Sequence, residues 1–91
     1  MRSRKAAPPP ACEDTMLTRE FGLAIRRLRE ARGWSQERLA EAADMNRSYI
    51  GEVERGAAIP SLVTIDKLAA ALGTSASGVL AHCELALAEA L

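Results

Sequence analysis

The sequence predicts an all-α domain of five helices, and three observations carry that prediction. Apolar residues recur at three- and four-residue spacings through most of the chain, small polar capping residues and glycines punctuate them, and no segment alternates β-branched residues with period two. With 91 residues, 48% of them apolar, the chain has room for one core and is too hydrophobic to be disordered. Eighteen of the apolar residues are alanine, so the core is thin, and a chain this small buries only about 60% of its unfolded surface. Help from a partner subunit is therefore expected.

The N-terminal segment, residues 1–14, is expected to be a flexible arm. It carries Arg2, Arg4 and Lys5 and then Pro8, Pro9 and Pro10, which have little to bury and disfavour helix. From about Thr15 a helical period begins, with Leu17, Phe21, Ile25 and Leu28 on one stripe. Arg32 followed by Gly33 closes this first helix with a basic last turn and a residue suited to a left-handed cap. Ser35 can cap a second, short helix, whose buried side carries Leu39, Ala40 and Ala43 and which ends near Asp44. Asn46 can cap a third helix only two residues later. It runs from Arg47 to Arg55, stops at Gly56, and must cross the second steeply because the connection is so short.

Pro60 and Ser61 open the fourth helix, with a stripe of Leu62, Ile65, Leu68, Ala69 and Leu72, and Gly73 ends it. Thr74 or Ser75 starts the fifth. Its stripe is Val79, Leu80, Cys83, Ala86, Leu87, Ala90 and Leu91, and its first turn alone should close the core. Residues 81–91 are therefore expected to extend beyond the domain, residues 15–80, and to form a dimer interface through Cys83, Leu87 and Leu91.

Composition removes several functions. There is one His, no glycine-rich phosphate loop and no clustered ligand set, so an enzyme is not expected, nor is a metal, cofactor or small-molecule ligand. Cys12 and Cys83 are far apart and suggest neither a disulfide scaffold nor a zinc site. No stretch reaches the roughly 18 apolar residues of a membrane span, and the N-terminus lacks an apolar run of signal-peptide length, so a cytoplasmic location is expected. The formal net charge is zero, which argues mildly against nucleic acid. The distribution answers much of this: residues 18–60 carry eight Arg against seven acids, residues 61–91 one Lys against three.

The informative segment is Gln36 to Arg55. Leu39, Met45, Ile50 and Val53 can close a small core between the second and third helices. At about 100° per residue Arg47, Ser48, Gly51, Glu52 and Arg55 share the opposite face of the third helix, with no bulky apolar residue among them. A helix with one buried side and one hydrogen-bonding side, held out by a short preceding helix, fits the major groove of double-stranded DNA.

The strings WSQERLAEAADMNRSYIGEVERG and IPSLVTIDKLAAALGTS resemble the helix-turn-helix domain of the lambda-repressor-like, Cro/Xre family of bacterial and phage regulators. The resemblance covers roughly Leu17 to Leu80. It implies a sequence-specific, dimeric DNA-binding regulator, with Gln36 on phosphate, Arg47, Ser48 and Glu52 facing base edges, and Arg55 on the backbone. Tyr49 packs with its hydroxyl at the rim, within reach of phosphate. Arg29 and Glu54 match a pair that bridges the first helix to the third in this family. One departure is Asp44, where the turn usually has Gly; Asp tolerates left-handed backbone better than most residues. A second reading stays open: an interaction module, such as an antitoxin or adaptor, with weak or lost DNA binding.

Overall fold

The computed structural model describes residues 11–90, with side chains described from 16 to 89. Five helices follow in order: α1 (Ala11–Ala31), α2 (Gln36–Ala43), α3 (Arg47–Glu54), α4 (Leu62–Ala71) and α5 (Ala76–Ala90). There is no strand among the described residues.

Each short helix is started by a side chain that satisfies its free N–H groups. The Ser35 hydroxyl accepts from the Arg38 amide at 3.0 Å, the Asn46 side chain from Ser48 at 2.7 Å, and the Ser61 hydroxyl from Thr64 at 3.1 Å. Ser75 does the same for Gly78 at 3.0 Å, which resolves the choice between Thr74 and Ser75. The helices stop where the backbone turns left-handed: Gly33 at φ 70°, Gly56 at 74° and Gly73 at 75°. Asp44 is the non-glycine member of this set, at φ 56° and ψ 53°, where its amide closes α2 by bonding back to Ala40 and Glu41. Thus α2 and α3 are separated by only Asp44, Met45 and Asn46.

The core gathers one stripe from every helix: Phe21 and Ile25, Leu39, Ile50 and Val53, Leu68 and Leu72, then Val79 and Cys83. Ala24, Ala40, Ala43 and Ala69 fill the crossings, where small side chains let helix axes approach. The tightest approach is at Gly22. A Cβ there would meet the backbone carbonyl oxygens of Val53 and Glu54, the latter at 2.7 Å, so α1 lies directly on the last turn of α3.

Four expectations need correction. The helical segment begins at Ala11, so residues 11–14 of the expected arm belong to α1. Residues 1–10 lie outside the described residues. Leu17 and Leu62 are on their stripes yet 42% and 81% exposed, because each falls in a helix segment that the core does not reach. Cys83 is completely buried inside the chain's own core and belongs to no interface: α5 packs along α1 well past its first turn. Leu87 is half-buried, and Leu91 lies outside the described residues.

Burial pushes the Cys83 thiol above its ordinary value of 9.0, and the Glu20 carboxylate adds to the effect. An unfolded chain therefore ionises this thiol before the folded one does. The stabilisation is complete below pH 9.0 and is lost as pH rises through the higher folded value. In a Cys12→Ser background, Cys83 should resist alkylation at neutral pH until denaturant is added. Cys83→Ala should lower stability at pH 7, and urea titrations should show the gap narrowing above pH 9.0. Gly22→Ala should cost about 1–3 kcal/mol of unfolding free energy, since backbone must move to admit the methyl group. A variant melting with the parent would contradict the close α1–α3 approach.

Candidate nucleic-acid interface

Capping at Asn46 and burial of Ile50 and Val53 fix both the start and the rotation of α3. The remaining residues of its outer side are then forced into solvent: Arg47, Ser48, Glu52 and Arg55 are all exposed. Tyr49 is half-buried and packs against the core cluster. Gly51 is buried, covered by side chains from above rather than by the core: a Cβ on it would lie 3.2 Å from Arg55 Nη1 and 3.7 Å from Gln36 Oε1.

Behind this face sits a buried carboxylate. Glu54 is 8% exposed, and the Arg29 guanidinium grips it with two bonds, Nε to Oε2 at 2.7 Å and Nη2 to Oε1 at 3.0 Å. A third Arg29 donor, Nη1, bonds the Trp34 carbonyl oxygen at 2.8 Å. The hydrogen bonds to Glu54 hold Arg29 in its charged form more firmly than usual, against the opposing effect of its own burial. Gln36 completes the group, with Nε2 donating to Glu54 Oε1 at 3.0 Å. Gln36 is thus a bridge from the start of α2 to the end of α3. Sequence spacing shows it only as a surface residue of the first turn, since the partner that holds it lies on another helix.

The α1–α2 connection is fastened by a second device that sequence reasoning missed. Two guanidinium groups lie over the Trp34 ring, Arg32 at 5.1 Å and Arg38 at 4.9 Å from its centre. Arg32 also donates to the Leu72 carbonyl oxygen at 3.0 Å, tying the end of α1 to the end of α4. The signal was present in the flanking arginines, one on either side of a lone tryptophan.

Comparison with known proteins gives one consistent answer. A family model described as Helix-turn-helix matches residues 25–79. The chain is 38% identical over 56 residues to the HTH-type transcriptional regulator SutR of Escherichia coli, covering 62% of this chain and 32% of that one. It is 39% identical over 59 residues to the immunity repressor protein of Bacillus phage phi105, covering 65% and 41%. The chain therefore spans well under half the length of these two relatives. Among solved structures, the restriction-modification controller protein C.AhdI from Aeromonas hydrophila superposes with a TM-score of 0.66 at 47% identity, covering 68% of this chain and 94% of that one.

Glu54→Ala should be severe, because it leaves the Arg29 charge at 12% side-chain exposure without its partner. We expect a loss of about 3–5 kcal/mol in urea denaturation, while replacing both members together by Met and Leu should recover much of it. A parent-like midpoint for Glu54→Ala would show that the pair contributes nothing to the fold.

Proposed function

The chain belongs to the lambda-repressor-like, Cro/Xre family of helix-turn-helix transcriptional regulators, and from that premise we propose that it binds a palindromic operator as a homodimer, with α3 of each subunit in the major groove. The observation that carries this reading is the division of α3. Its inner side is locked by Ile50, Val53 and Glu54, and its outer side presents Arg47, Ser48, Glu52 and Arg55 to solvent. Arg47 and Glu52 are suited to guanine and to the cytosine amino group, and Ser48 to either. Arg55 and Gln36 take phosphate, with Tyr49 at the rim. In this reading the protein regulates transcription as a repressor or autoregulator and performs no chemistry of its own.

A twofold dimer lets two recognition helices read half-sites about 34 Å apart. With Cys83 withdrawn into the core, the stronger support for a subunit contact is the apolar set around the start of α4: Ile59, Leu62 and Val63 are 77%, 81% and 65% exposed. Leu17, Phe21, Ile59, Ile65 and Leu80 line a small groove beside them. On α5 Leu85 is exposed and Leu87 half-buried, a smaller surface.

Binding to the selected operator should weaken steeply with salt, by a log–log slope of about 0.9 per phosphate contacted. Arg47→Ala should cost about 1–3 kcal/mol and relax selection at one base pair in each half-site when sites are chosen from random duplex DNA. Affinity independent of salt, or an unaltered selection profile, would defeat the reading. In sedimentation, Leu62→Glu should give a monomer and Leu87→Glu should not. The reverse result would move the interface to α5.

A further inference from the structure

Gly51 is a poor choice for the middle of a helix, where glycine is less favourable than any residue except proline. It is the fifth residue of an eight-residue helix whose outer face is otherwise occupied by side chains. Its backbone is ordinary helix, since it is absent from the positive-φ glycines. The three nearest atoms that a Cβ would approach from outside its own stretch of backbone are Arg55 Nη1 at 3.2 Å, Gln36 Oε1 at 3.7 Å and Gln36 Nε2 at 3.9 Å. All three are tips of long side chains. One comes from the end of α3 and the other from the start of α2, and they converge on the point that a side chain at position 51 would fill.

We propose that Gly51 is a positioning residue that seats the Arg55 guanidinium over α3 beside the Gln36 amide, making a single anion site for a DNA phosphate from two helices. This inference rests on the DNA-binding reading above and assigns one contact of it to a residue that touches no ligand. The chemistry of the two groups is suited to the task. Gln36 spends one amide hydrogen on Glu54 Oε1 at 3.0 Å and keeps the other for an acceptor. Arg55 is exposed and forms no ion pair among the described residues, so its fork remains open to a phosphate diester. Because Glu54 holds Gln36 and the bare helix surface holds Arg55, both donors are placed before DNA arrives, which reduces the ordering cost of binding.

A methyl group at position 51 moves the Arg55 tip by a few tenths of an ångström, and a branched side chain moves it off the helix. The fold should tolerate this, since only flexible tips give way. Gly51→Ala and Gly51→Val should therefore melt no lower than the parent in the case of Ala, and remain folded in the case of Val. Both should bind duplex DNA more weakly, Val by about tenfold per half-site, the worth of one charge-assisted hydrogen bond. The loss should be equal for the selected operator and for a random-sequence duplex, with the salt slope reduced by about one per half-site.

The decisive measurement repeats Gly51→Ala and Gly51→Val in an Arg55→Ala background. If Gly51 acts through Arg55, neither substitution changes affinity there. The same loss in both backgrounds would mean that the new side chain meets DNA directly, and unchanged affinity in the parent background would mean that Arg55 needs no seat. Either result overturns the proposal while leaving DNA binding intact. A parent chain that retains neither duplex at low salt overturns the DNA-binding reading itself, and this role with it.

Discussion

The arrangement depends on one carboxylate that has almost no access to water. Glu54 closes α3 at 8% exposure, and a charge placed there must be paired or the helix cannot dock. Arg29 is the partner, and its fork geometry demands that α1 present that one residue at a fixed angle to the end of α3. Gly22 permits the approach by leaving the carbonyl oxygens of Val53 and Glu54 unobstructed. The remaining Arg29 donor reaches the Trp34 carbonyl oxygen and fixes the entry to α2, while Gln36 draws the start of α2 to the same carboxylate. A single acid thus sets the relative positions of α1, α2 and α3. The outer face of α3 is held still by a carboxylate buried behind it.

A thin core makes such polar fastenings matter. Its crossings are filled by Ala24, Ala40, Ala43 and Ala69, which bring backbones together but bury little area. Buried ion pairs contribute less to net stability than well-packed apolar groups of similar volume, and their best-attested use is to specify one arrangement among several. That use fits here: the apolar stripes of short helices could slide by a turn at modest cost, whereas a bidentate pair at 2.7 and 3.0 Å cannot.

Helix number, order and most ends were legible in the sequence because they are local events. Ser35, Asn46, Ser61 and the left-handed Asp44 act on amides or carbonyls a few residues away, and such spacings can be read directly. Apolar periodicity was less informative. It identifies the stripe on which Leu17, Leu62 and Cys83 lie, but not whether a neighbour covers that part of the stripe; Cys83 is covered by the chain itself and Leu62 is open. The outer face of α3 was readable for the same local reason, as the complement of its buried stripe. Gln36 was only half-readable: its position on α2 is local, but its attachment to Glu54 and its place above Gly51 are made by residues of another helix.

A net charge of zero is compatible with a polyanion as partner once the paired charges are set aside. Arg29 is consumed by Glu54, Arg26 by Glu30 and Arg38 by Glu41, so half a dozen of the charges in the total cancel within the chain. Arg32 is engaged by Trp34 and the Leu72 carbonyl oxygen. What remains on the outer side of α3 is Arg47 at one end and Arg55 at the other, with Glu52 between them. Electrostatic attraction at contact is governed by charges within about a Debye length, near 8 Å in physiological salt, so the sum over the whole chain says little about this face. An acid between two arginines also weakens attraction to sequence-independent phosphate more than it weakens a site where its oxygen finds a cytosine amino group. On the proposed binding mode, such a face would give up general affinity for DNA and gain discrimination among sequences, the balance a small regulator requires when competing sites vastly outnumber an operator.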